Sequence, residues 1–176
     1  MRRSVKISFA AICSAISVVL MLLAYFPFFT YSVPAIASLA ILVCFLELGG
    51  KWAILSYVVS VLPVFLFAEN EAKLLYIVFF GYYVVLKAYI EKLSIILAYI
   101  AKFILFNAVI IVSYCFLAEL IGVSLSDFGE LGKYGGIVLL VAANFVFLLY
   151  DMLIGKIAAV YFIRLHPIID KMLKRY

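Results

Sequence analysis

Charge is what this sequence has least of. Only 13% of its 176 residues are charged, against 70% hydrophobic, where soluble domains carry about 25% charged and 45–50% apolar residues. A water-facing surface cannot be built from that stock, and no stretch is polar enough for a separate soluble domain. Histidine is nearly absent: His166 stands alone in a basic tail beside Pro167. Metal binding and histidine-based catalysis therefore lack material. The three cysteines, Cys13, Cys44 and Cys115, form no CxxC and sit in apolar runs; they read as small apolar core residues. There is no GxxxxGK[ST] loop, no HExxH, no Ser/His dyad and no second aspartate within an apolar run, which argues against nucleotide hydrolysis and against an intramembrane enzyme. No catalytic residue, metal ligand or cofactor is expected.

What is there is a series of long apolar runs. They predict an all-α, polytopic integral membrane protein, a single domain over residues 1–176 built as a compact bundle of six transmembrane helices. The spans run over about 7–26, 34–48, 52–67, 72–90, 95–121 and 136–163, with a basic tail over 164–176. Met1-Arg2-Arg3 ahead of the first run imitates a signal peptide. The run is too long, and no small-residue cleavage site follows, so a retained first helix is expected. The second run is shorter than the ~20 residues a square crossing needs; Pro34 suits its first turn. Pro63 predicts a kink near the end of the third. The fifth is long enough to tilt, or to begin as an interfacial segment before Lys102. The longest loop spans Gly122 to Gly135.

Six spans put both termini on one side, together with every Lys and Arg except Lys73 and Lys133. The positive-inside rule then places both termini in the cytoplasm of a cell-membrane protein. The same asymmetry accounts for the net charge of +5. Anionic lipid is a sufficient partner for the basic tail, and no nucleic acid is implied.

Lys87 is the residue around which these runs must be arranged. It lies inside the fourth, in Phe79-Phe80-Gly81-Tyr82-Tyr83-Val84-Val85-Leu86-Lys87. A lysine at that depth costs about 2.5–3.5 kcal/mol on insertion scales and calls for a partner. Counted from the outer end of each span, at Ala72 and Gly136, Lys87 and Asp151 both lie roughly 22 Å in. The expectation is a Lys87–Asp151 pair supported by Asn107, with Asn144 and Gly155 on the Asp151 face and Gly155 admitting a close neighbour. Tyr76, Phe80, Tyr83 and Lys87, spaced 4, 3 and 4 apart, should share one helix face. Such a pair can simply lock helix packing, with Lys87 snorkelling. It can also close the floor of a polar cavity and change partners on ligand binding. On the other side, Tyr25, Thr30, Tyr31, Glu69, Asn70, Tyr76 and Glu119 face out. Tyrosines there serve as interfacial anchors, and Glu69-Asn70 reads either as a solvated turn or as the cap of a solute pocket.

The first run carries two small-xxx-small pairs, Ala10/Ser14 and Ala11/Ala15, which permit close helix approach within the chain or to another protein. A small six-span chain with a basic N-terminus and the segment Ser8-Phe9-Ala10-Ala11-Ile12-Cys13-Ser14-Ala15 resembles the substrate-binding S components of energy-coupling factor transporters. That resemblance implies docking through Ala11 and Ala15 on a transmembrane coupling subunit with its ATPases. It also implies uptake of a small-molecule solute bound on the outer side by Tyr31, Glu69, Asn70 and Tyr76. The first external turn is shorter than that family's, leaving little lid. The alternative is a non-transporting membrane scaffold or assembly protein acting through helix–helix contacts. Bacterial rod-shape morphogenesis proteins are similar in size and layout, although their Gly-Leu…Asp pattern is missing.

Overall fold

In the computed structural model, residues 3–26, 28–113 and 135–174 are described. Within them the chain is helical, with no strand. Helix α1 (Arg3–Leu22) runs into a 3-10 turn at Leu23–Tyr25. α2 (Val33–Leu48) follows with Pro34 in its first turn, as expected, and α3 (Gly50–Phe67) continues past Pro63. Gly49, at φ +85, makes the reversal between them, a left-handed conformation that glycine adopts without a Cβ penalty. The fourth run is one rod of three parts: α4 (Asn70–Leu75), a π turn (Tyr76–Phe80) and α5 (Gly81–Ile90). α6 (Ile95–Val112) and α7 (Gly135–Arg164) complete the bundle, and α8 (His166–Lys174) makes the tail helical.

Among the described residues, five helical segments are long and apolar enough to cross a membrane: Arg3–Tyr25, Gly50–Phe67, Asn70–Ile90, Ile95–Val112 and Leu140–Arg164. Val33–Leu48 is apolar but shorter. Large apolar side chains cover the outside of the bundle, Ile12, Val19, Leu62, Ile95 and Ile163 among them. A water-soluble monomer rarely exposes contiguous apolar surface on that scale. The segment expected to prolong α6 to Ile121, with Tyr114, Cys115 and Glu119, and the loop to Lys133 lie outside the described residues.

Two cores hold the helices. The first joins α1, α2, α5 and α7 through Cys13, Ile41, Cys44, Tyr83, Phe147 and Tyr150. The second gathers Met21, Ala37, Val64, Ala72 and Tyr76 at the other end of α1. Cys13 and Cys44 are buried in the first core as small apolar residues. Serine hydroxyls stitch the helices where small side chains let the backbones close up. Ser14 and Ser56 lie 2.8 Å apart, and Ser56 Oγ donates to the Ala10 carbonyl at 2.9 Å. Ser17 Oγ donates to the Ala37 carbonyl at 3.0 Å. Such bonds hold apolar helices together where burial alone discriminates little.

The π turn changes a face read from spacing. A five-residue turn shifts everything beyond it, so Tyr76 enters the second core, while Phe79, rather than Phe80, is buried against Tyr83 with ring centroids 4.6 Å apart. Tyr83 and Lys87 keep their shared face. Tyr57 Oη donates to the Ile77 carbonyl at 2.6 Å within the π turn, and its ring occupies the space a Cβ at Gly81 would need.

Candidate functional site: a four-charge ring at the α5–α6 junction

Two lysines and two carboxylates form a closed ring where α5 ends and α6 begins. Lys87 Nζ lies 2.6 Å from Asp151 Oδ1 and 2.8 Å from Glu91 Oε1, and donates to the Asp151 carbonyl at 2.9 Å. Those three acceptors use all three of its protons. Lys102 Nζ lies 2.7 Å from Glu91 Oε1 and 2.9 Å from Asp151 Oδ2. Tyr83 Oη donates to Asp151 Oδ1 at 2.7 Å. The side chains of Lys87, Lys102 and Asp151 are 6–8% exposed and that of Glu91 is 46% exposed. Each buried charge thus has opposite charge within hydrogen-bond reach, the condition under which ionised groups tolerate removal from water. Among the described residues, every buried side-chain nitrogen and oxygen has a hydrogen-bond partner.

Sequence made this possible in two ways. Lys87 and Glu91 are four apart on one helix, a spacing that brings them side by side. Lys102 sits two turns into α6, on the side facing α7. α6 is one continuous helix from Ile95, with Lys102 buried inside it. Lys102 and Glu91 were missed as members of the site. The available signal was a second lysine in an apolar run, with only Asp151 and the junction's Glu91 near its depth.

Asn107 does not support the ring. It exchanges amide hydrogen bonds with Asn144 at 3.0 and 3.1 Å, and each amide also donates to a carbonyl four residues back on its own helix. Each amide thus meets both a donor and an acceptor in the other, a reciprocity that a charged side chain cannot offer. Gly155 admits no close neighbour either. Nothing lies within 4 Å of where its Cβ would be, because it borders an open cavity of about 520 Å³ lined also by Lys87, Glu91, Lys102, Asp151 and Lys156.

The four residues expected to hold solute, Tyr31, Glu69, Asn70 and Tyr76, do not line that cavity. Glu69 caps α4, its carboxylate accepting from the Glu71 and Ala72 amides at 3.1 and 2.9 Å. Tyr76 is fully buried, its hydroxyl 2.7 Å from Ser17 Oγ and 2.8 Å from Ser60 Oγ. Tyr31 and Asn70 are exposed. The cavity at that end of α1, about 280 Å³, is lined by Leu20, Leu23, Phe26, Phe29, Val33 and Ile36 and by none of the four. A second acidic site went unread: Glu47, at the end of α2, accepts from Tyr161 Oη at 2.6 Å and lies 2.9 Å from His166 Nδ1. That contact pins the start of α8 to the bundle. Among the described residues no group of three His, Cys, Asp or Glu side chains could hold a metal.

Glu91 lies beyond the apolar run and carries the ring's response to acid. Burial alone would raise its pKa, but hydrogen bonds from Lys102 and Lys87 outweigh that and hold the carboxyl below its ordinary value near 4.5. A carboxyl depressed in the folded state adds stability above its unfolded pKa and loses it as pH falls through the folded one. Stability should therefore decline below about pH 4.5, and Glu91→Gln should flatten part of that decline. Thermal unfolding in detergent across pH 3–7, read as the difference between wild type and variant, checks this. Parallel curves would detach Glu91 from the ring.

The fold and site define a class: an all-helical protein with several helices apolar enough to span a membrane and a charge-balanced ring buried among them. No family model, curated protein or solved structure matches the chain.

Proposed function

We propose that this protein is a membrane-embedded, solute-binding subunit of the S-component kind, spanning the bilayer six times with both termini cytoplasmic and energised by a separate ATP-driven partner. The observation that carries this reading is how α1 divides its small residues. Ala10, Ser14 and Ser17 are buried against α2 and α3, whereas Ala11 and Ala15 are exposed together with Ile12 and Ile16. The inner pair is consumed by the chain's own packing. The outer pair leaves a flat apolar strip on which another helix could approach closely. In an ATP-driven role, a chain without a nucleotide-binding loop would draw its energy through such a contact.

A second reading, a non-transporting scaffold, is favoured by the engagement of Glu69 and Tyr76 in structural hydrogen bonds. One experiment separates the two. Ala11→Trp and Ala15→Trp leave the buried face of α1 untouched, so the isolated protein should fold. Under the transport reading both should abolish co-purification of a membrane coupling subunit and its ATPases. Mass spectrometry of the gently purified wild type should also find a bound small molecule. Enrichment of envelope-assembly proteins, with neither ATPase nor solute, would reject transport in favour of the scaffold.

A further inference from the structure

We propose that the cavity between the start of α6 and the second half of α7 is a binding site for the headgroup of an anionic phospholipid, held by Lys102 and Lys156. Three lysines and two carboxylates line it. The carboxylates are spent within the ring, which leaves one positive charge in excess. Lys102 has given two of its three protons to Glu91 and Asp151, and the third has no hydrogen-bond acceptor among the described residues. Lys156 is exposed, and its ammonium has no partner there. Both lysines line the same cavity, Lys102 with its ammonium over the Tyr99 ring at 5.6 Å, and two cations on one wall suit a phosphate.

The rest of the wall selects a lipid over a free anion. Leu93, Ile95, Ala98, Tyr99 and Met152 line the cavity. Ile96, Ile100 and Leu153 extend that apolar surface along the outside of the same helices. The charged end sits at the Glu91-Lys92-Leu93-Ser94 break, where the apolar runs stop. A phosphate there with acyl chains along α6 and α7 would satisfy both parts, as in basic pockets between transmembrane helices that hold lipid headgroups. A soluble anion would leave the apolar wall unused.

The test uses the full chain in nanodiscs of equimolar phosphatidylglycerol and phosphatidylcholine, then counts the phospholipid retained after detergent extraction by native mass spectrometry. Wild type should retain phosphatidylglycerol in preference. Lys156→Gln should lower that retention about fivefold, the factor corresponding to about 1 kcal/mol per lysine near an anionic surface. Gly155→Leu should lower it at least as far by filling the cavity without touching a charge; its Cβ meets nothing within 4 Å, so folding is spared. Lys171→Gln, an exposed change on α8, should leave retention unchanged. Wild-type retention by either cavity variant, or an equal loss in Lys171→Gln, overturns the site. If inorganic phosphate raises the melting temperature of lipid-free protein as much as phosphatidylglycerol does, the cavity belongs to a free anion and the lipid assignment falls.

Discussion

Asp151→Leu should destabilise this protein by about 3–5 kcal/mol, the range for breaking a buried charge pair from one side. The ring makes this carboxylate unlike its neighbours. It is the counter-ion of Lys87 through Oδ1 and of Lys102 through Oδ2, and it accepts from Tyr83. Removing it leaves two buried ammonium groups to share the half-exposed Glu91. Lys87→Met removes less, since Asp151 keeps Lys102 and Glu91 can turn to water; about 1.5–3 kcal/mol is expected, the worth of hydrogen bonds to a charged group. Lys87→Met with Asp151→Leu restores balance by leaving one lysine, Lys102, against Glu91. The double variant should be milder than Asp151→Leu alone. Reversible unfolding in mixed micelles for all three variants gives the coupling energy. Equal losses for Lys87→Met and Asp151→Leu would show that Lys102 is not held by Asp151.

Phe147→Ala is the second large effect expected, at about 3–5 kcal/mol, typical for removing a buried aromatic ring. Phe147 is 3% exposed. Its ring stacks on Phe106 of α6 with centroids 4.4 Å apart and meets Phe79, Tyr83 and Phe103 edge-on at 5.4–5.9 Å. One side chain of α7 therefore joins the π turn, α5 and α6, one helical turn from Asp151. Its loss should also loosen α6 and the placement of Lys102. Amide exchange should accelerate in α6 more than in α2 or α3, while Phe147→Leu, which leaves a smaller void, should cost less than Phe147→Ala. Uniform acceleration throughout the bundle would mean that Phe147 holds the whole core rather than the seat of α6.

The helical character of the described residues and the meeting of Lys87 with Asp151 were legible in the sequence. Apolar run length bounds a helix through its fixed rise per residue, and equal depth from the same face is a matter of counting. Proline at the start of α2 and the Gly-Gly turn after it work through local backbone sterics, which need no tertiary information. One buried lysine demands one acid wherever the helices lie, so that pairing follows from cost alone.

Only the tertiary structure could decide the rest. Whether Lys102 faces a neighbour or the outside depends on how α6 rotates about its axis, and an almost uniformly apolar helix carries no periodicity to fix that rotation. The π turn broke the 4-3-4 spacing because Tyr57 reaches in from another helix to bond a carbonyl within it, a contact with no local sign. Asn107 and Asn144 bond each other rather than the ring, a choice between partners that counting along each helix cannot make. Of two overlapping small-residue pairs on α1, the bundle buried Ala10/Ser14 and left Ala11/Ala15 outside, a rotation of one position that composition cannot distinguish. Sequence thus determined which groups had to be neutralised, and packing determined which neighbours did it and which surfaces were left free.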